Sequence, residues 1–188
     1  TFIGKYYAHY AECPTLLFAA LKALIEEKSI NKSHITVHFY TNAMGQKAFA
    51  ELAAQYSISE IVQVSSYIPR EHIVPIMHQS SIMMVLTTSA KQHDTHGIMG
   101  TKFYEILGIE KPCLCLTSDE ECLAHAIQKT NAGLAATNVE EVKAFILDKY
   151  QEWLQNGFTR QAVINKEQFS RQKQAQQFEQ LFIETLKH

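Results

Sequence analysis

Apolar residues recur along this chain with two alternating periods. Thr1 to Gly4 is a short run that predicts a strand ending in glycine. After a polar stretch through Pro14, apolar residues fall at Leu16, Leu17, Ala20, Leu21, Leu24 and Ile25, the spacing of one helix face. Ile35-Thr36-Val37-His38-Phe39-Tyr40 is β-branched and aromatic and predicts a strand, and the alanine-rich Gln46 to Tyr56 predicts a helix. Ile61 to Val64 predicts the next strand. Tyr67-Ile68-Pro69-Arg70-Glu71 is a turn into a helix ending near Gln79, with Pro69 near its start, where a missing N–H costs little.

Ile82 to Leu86 is apolar at every position and predicts a central strand. A polar, glycine-containing loop then runs into a helix that ends near Gly108, before Pro112. Cys113 to Leu116 predicts a strand, Asp119 the cap of a helix reaching Lys129, and Gly133 to Ala136 a short last strand. Asn138 is expected to cap a helix burying Val142, Phe145, Ile146, Trp153 and Leu154. From about Asn165 to Leu186 the pattern predicts one long amphipathic helix, with Phe169, Phe178, Leu181, Phe182 and Leu186 apolar and the glutamine-rich Gln172 to Gln180 on its wet side.

Strands alternating with helices predict an α/β fold: a doubly wound, parallel, Rossmann-like sheet with right-handed crossovers. Ligands of such sheets bind at the carboxyl ends of the strands. Gly4-Lys5, Tyr67-Ile68-Pro69 and the loop from Thr87 to Thr101 are expected there.

Composition narrows the field. A chain of 188 residues, 46% hydrophobic, suits one domain over 1–188. A formal charge of -2, with 17 Lys and Arg scattered without a patch, argues against nucleic-acid binding. The longest apolar run, Ile82 to Leu86, is strand-sized and far short of a bilayer span. Cys13, Cys113, Cys115 and Cys122 form neither a C-x-x-C pair nor a zinc spacing, and read as small apolar thiols in a reducing, cytoplasmic setting. The chain opens directly on its first strand, which we take as the sign of a piece of a longer protein.

The candidate chemistry sits in His93-Asp94-Thr95-His96-Gly97-Ile98-Met99-Gly100-Thr101-Lys102-Phe103-Tyr104-Glu105. A glycine-containing loop entering a helix presents backbone N–H groups and the positive end of a macrodipole, which suits phosphate. Lys102 in the first turn adds a point charge, and Glu105 one turn later can accept from two neighbouring sugar hydroxyls. Both residues also have a bland reading: a solvated lysine, and a carboxylate favoured near a helix start. Asp94 and His96 are weak candidates for proton transfer, and a metal role for His93, Asp94 and His96 lacks a distant third ligand. Thr87, Thr88 and Ser89 either meet a ligand or close a turn.

The order Phe2-Ile3-Gly4-Lys5, Pro14 to Leu24, Tyr67-Ile68-Pro69, then Lys102-Phe103-Tyr104-Glu105-Ile106-Leu107-Gly108-Ile109-Glu110-Lys111-Pro112, with Phe169-Ser170-Arg171 before the last helix, resembles the carboxyl-terminal domain of GT-B glycosyltransferases. The retaining group called family 4 (glycosyl transferases group 1) is the most similar. The resemblance covers nearly the whole chain. It implies one half of a GT-B enzyme, which binds a UDP-, GDP- or ADP-sugar donor while a separate amino-terminal domain binds the acceptor. It further implies polysaccharide biosynthesis by glycosyl transfer with retention, no metal or other cofactor, a fragment inactive on its own, and peripheral contact of the full-length protein with the inner face of the membrane.

By resemblance, Glu105 holds the ribose hydroxyls. Gly97, Ile98, Met99, Gly100 and Thr101 face diphosphate and sugar, with Lys102 beside them. Gly4 and Lys5 line the opposite wall, and Tyr67 and Ile68 lie beside the base. Two positions depart from the family pattern. Eight residues before Glu105, where a first glutamate is common, stands Gly97, with Asp94 the nearby carboxylate, and Ala11-Glu12-Cys13-Pro14 lacks a second basic residue. The alternatives are a non-catalytic nucleotide-binding or regulatory domain on the same architecture, or half of a nucleotide-sugar epimerase.

Overall fold

The computed structural model describes residues 1–7, 14–89 and 96–186. Its strands are β1 (Phe2–Ile3), β2 (Val37–Tyr40), β3 (Val62–Ser65), β4 (Met83–Leu86), β5 (Cys113–Leu116) and β6 (Gly133–Ala135). The helices are α1 (Thr15–Glu26), α2 (Ala43–Gln55), α3 (Arg70–Gln79), α4 (Thr101–Ile109), α5 (Cys122–Thr130), α6 (Val139–Asn156) and α7 (Arg171–Thr185). All strand pairs are parallel, in two three-stranded sheets ordered β1-β2-β3 and β4-β5-β6.

These two sheets meet along β1. The Thr1 backbone nitrogen donates to the Ile82 carbonyl at 2.8 Å, and Met84 N–H donates to the Thr1 carbonyl at 2.8 Å. The strand order across the junction is therefore 3-2-1-4-5-6. It reverses between β1 and β4, the arrangement of a Rossmann-like, doubly wound fold.

Alternation along the strands divides the core into two layers. Phe2, Phe39, Met84, Leu114 and Leu116 point to the face covered by α1, α2 and α6, among Phe18, Leu21, Phe49, Val142 and Ile146. Ile3, Met83, Val85, Cys113 and Cys115 point to the other face, under α3, α4 and α5, among Met77, Phe103, Ile106, Leu123 and Ile127. The first layer centres on rings: Phe39 lies 4.5 Å from Phe49, 5.9 Å from Phe18 and 6.1 Å from Phe2, centroid to centroid. In the second layer, burial pushes the Cys113 thiol up to about 12 and the Cys115 thiol well above its ordinary value. Both are the inert core thiols that their alternation suggested; Cys13 lies outside the described residues.

Several boundaries differ from expectation. Helix α2 begins at Ala43, directly after β2, instead of at Gln46. Leu154 is exposed, and Tyr150 takes its place on the buried side of α6 because its hydroxyl reaches His34 Nδ1 at 3.0 Å and accepts from Asn31 N–H at 3.1 Å. The last helix is not continuous from Asn165. A 3₁₀ turn over Lys166–Phe169 ends at Ser170, whose hydroxyl accepts from Lys173 N–H at 3.1 Å and starts α7 afresh. Phe169 packs on Phe103 and Tyr104, whereas Phe178, Leu181, Phe182 and Leu186 stand exposed on α7. Among the described residues no helix is long and apolar enough to cross a membrane.

Two outcomes check this core. Phe39→Ala, at a fully buried ring, is expected to cost about 3–5 kcal/mol in urea unfolding. Cys113 and Cys115 are expected to resist iodoacetamide in the native protein near neutral pH, where the thiolate is scarce, and to react once the chain is unfolded.

Candidate nucleotide site

The carboxyl ends of β1, β3, β4 and β5 lead into four loops, and the residues singled out in the sequence occupy three of them. After β1, Gly4 N–H donates to the Tyr40 carbonyl at 3.0 Å, carrying the strand pairing one residue further. Lys5 is exposed, with its ammonium 4.6 Å from the centre of the Tyr7 ring. Asn42, at the end of β2, fixes this loop from the side: its Oδ1 accepts from Tyr6 N–H at 3.0 Å and its Nδ2 donates to the Tyr6 carbonyl at 3.2 Å. No local pattern marks Asn42 in the sequence, because its partner Tyr6 lies 36 residues upstream and is brought near by the pairing of β1 with β2.

After β3, Tyr67 is 56% exposed while Ile68 packs on the second core layer, so one offers a free ring and the other anchors it. Pro69 then occupies the N-cap of α3, where its missing N–H leaves no helix bond unmade.

After β4 the chain passes Thr87, Thr88 and Ser89. Thr87 N–H donates to the Leu116 carbonyl at 2.9 Å, and the Ser89 hydroxyl donates to Glu120 at 3.3 Å. Asp94 and His93 lie outside the described residues. His96, Gly97 and Ile98 are exposed, Met99 packs on the second core layer, and Gly100 is the N-cap of α4. Gly97 has φ of 72°, in the left-handed region that glycine enters without strain. Gly100 has no side chain to give, and among the described residues no side chain caps the first turn of α4; the Phe103 N–H donates to the Gly100 carbonyl at 3.1 Å, and the Thr101 and Lys102 N–H groups are the donors left for another acceptor.

On α4, Phe103, Ile106 and Leu107 are buried and hold the helix to the sheet. That packing turns Lys102 and Glu105 outward together: Lys102 Nζ lies 3.0 Å from Glu105 Oε2, with side chains 32% and 44% exposed. Solvent screens such a pair, so it stabilises the helix little. Its importance is placement. A cation and a carboxylate stand side by side over an uncapped helix start. Gly108 to Pro112, the most specific stretch of the resemblance after them, lies at the far end of α4. There Glu110 takes φ of 56° and ends the helix before β5, so this stretch turns the chain and does not line the site.

The fourth loop, after β5, went unrecognised in the sequence except for Asp119. Asp119 is 5% exposed, and its carboxylate accepts from Glu121 N–H at 3.2 Å and from Leu123 N–H and Ala124 N–H at 2.9 Å each. The helix begins at Cys122, but Asp119 does cap it. Glu121 then reaches back to the β4 loop: its Oε1 lies 2.6 Å from His96 Nδ1, and its Oε2 accepts from Gly97 N–H at 3.4 Å. Among the described residues no three His, Cys, Asp or Glu side chains converge as a metal site would require.

A cavity of ≈ 390 Å³ lies at the opposite, amino edge of the sheet, lined by Thr1, His34, Thr36, Val37, Ile82 and Leu114 among others. None of the residues singled out for ligand binding lines it. No protein-family model matches this sequence, and no curated protein does. Asp119→Ala is expected to destabilise the fold by about 2 kcal/mol in urea unfolding, through three amides left without their acceptor.

Proposed function

We propose that this chain is the donor-binding half of a retaining glycosyltransferase of GT-B architecture, which takes a UDP-, GDP- or ADP-sugar and passes the glycosyl group to a glycan or lipid-linked saccharide. The acceptor is held by another domain, and the whole protein works in the cytoplasm, at the inner face of the membrane through that domain. The observation that supports this reading is the Lys102–Glu105 pair on α4, the helix that follows β4 at the reversal of strand order, with Gly4 and Lys5 following the neighbouring strand β1.

The chemistry assigns each group a task. A diphosphate is an anion that backbone N–H groups, a helix dipole, Lys5 and Lys102 can neutralise. A ribose diol offers two donors to Glu105, and an apolar base finds Tyr67 and Ile68. Glycosyl transfer with retention passes through an oxocarbenium-like transition state, in which the leaving diphosphate gains charge. Donors already aimed at that charge stabilise the transition state more than the bound substrate. Binding divides the Lys102–Glu105 pair, so that the ammonium turns to phosphate and the carboxylate to ribose. His96 and Asp94 are the remaining candidates for proton transfer.

A second reading is a nucleotide-binding domain without turnover. It is favoured by Gly97, which carries no side chain where the resemblance puts a sugar-binding carboxylate.

Calorimetry with UDP, GDP and ADP tests the shared part of both readings, with at least one expected to bind below millimolar concentration. A folded sample that binds none of them contradicts both. Glu105→Ala is expected to weaken nucleoside diphosphate binding about tenfold while leaving pyrophosphate binding nearly unchanged, as loss of a hydrogen-bonded charged acceptor predicts. Equal loss for both ligands rules out a ribose contact. Turnover is expected only when the acceptor domain is supplied, and its absence even then decides for the second reading.

A further inference from the structure

Glu121 sits between two loops that the strand order brings together, and its own backbone is unusually well held. The Ser118 hydroxyl accepts from Glu120 N–H at 3.0 Å, and the Asp119 carboxylate accepts from Glu121 N–H at 3.2 Å while capping α5. With residues 118–121 fixed in this way, the Glu121 side chain spans to the loop after β4. Its two oxygens meet His96 Nδ1 at 2.6 Å and Gly97 N–H at 3.4 Å, 25 and 24 residues upstream.

The loop that receives these bonds is anchored further on by Met99, which packs on the second core layer. Gly97 and Gly100 are so open that a Cβ on either meets no atom within 4 Å, and the N-cap of α4, Gly100, has no side chain with which to cap it. A glycine segment with free space around it samples many conformations, and ordering it at the moment of binding costs entropy. A carboxylate anchored on the neighbouring loop removes part of that cost beforehand.

We propose that Glu121 is a positioning residue for the phosphate end of the site: by accepting from the Gly97 N–H and meeting His96 it ties residues 96 and 97 to the loop after β5, so that the N–H groups from Ile98 to Thr101 face the cleft. This role rests on the nucleotide-binding reading above. Physics sets a competing sign against it. A carboxylate beside an anion site also repels phosphate, so if Glu121 acted only through its charge, removing it would tighten binding.

The test compares the unmutated chain with Glu121→Ala and Glu121→Gln. Each is titrated calorimetrically with UDP, GDP, ADP and inorganic pyrophosphate, and amide hydrogen exchange at residues 96–102 is followed without ligand. Glu121→Ala is expected to weaken the best-bound nucleotide and pyrophosphate by the same factor, about tenfold, and to speed exchange at the Gly97 amide. Glu121→Gln keeps an acceptor for that amide and is expected to recover most of both. The common factor separates this role from the nucleoside-selective loss expected of Glu105→Ala, and a general loss of fold would not be restored by the amide.

Unchanged or tighter binding in Glu121→Ala, with an unmutated chain that binds, overturns the positioning role alone. Unchanged exchange at Gly97 overturns it as well. An unmutated chain that is folded and binds neither nucleotide nor pyrophosphate overturns the nucleotide reading and this role together.

Discussion

Everything in this molecule depends on the backbone pairing of β1 with β4. Two hydrogen bonds of 2.8 Å at Thr1 join two three-stranded parallel sheets into one surface, with β1 between β2 and β4. Without that seam each sheet is a three-stranded unit with edges to cover and half a core on each face. With it, the chain winds outward in two directions from the middle. Helices α1 and α2 then cover one face, α4 and α5 cover the other, and α6 returns to the first. The same seam parts the loops that leave β1 and β4, which makes a crevice where a ligand can reach backbone from both sides.

The site follows from this winding by simple placement. Buried Phe103, Ile106 and Leu107 orient α4, and that orientation turns Lys102 and Glu105 outward as a neighbouring pair. Buried Asp119 gathers three amides at the start of α5, and that cap sets Glu121 against His96 and Gly97. In both cases a core contact fixes a backbone, and the backbone sets where a charged group stands at the carboxyl ends of the strands. The ≈ 390 Å³ cavity at the amino edge lacks in its lining the paired cation and carboxylate that Lys102 and Glu105 form on α4.

Much of the fold was readable from periodicity. The apolar runs at Met83–Leu86 and Cys113–Leu116 are strands buried on both faces, and their alternation assigns Met84 and Leu114 to one layer, Met83 and Cys113 to the other. Pro69 and Asn138 marked helix starts because their preferences are local. What escaped was decided by partners distant in sequence. Tyr150 replaced Leu154 in the core because His34 and Asn31 lie across from it. Phe169 and Phe178 share one apolar pattern, but the Ser170 cap divides them, and only the first reaches Phe103. At the site, Lys102 and Glu105 stood out because their spacing is local to one helix. Asn42 and Glu121 did not, since each acts on a loop that only the sheet order brings near.

The central claim is that nucleotide chemistry belongs at the carboxyl edge of this sheet, around the β1–β4 crevice. Amide shift mapping by nuclear magnetic resonance, with UDP, GDP and ADP added in turn, tests it most directly. The account predicts that the largest shifts fall on Gly4 to Tyr7 and Gly97 to Glu105. Shifts gathered instead around His34, Thr36 and Ile82 at the amino edge, or no shifts with any of the three, would contradict it.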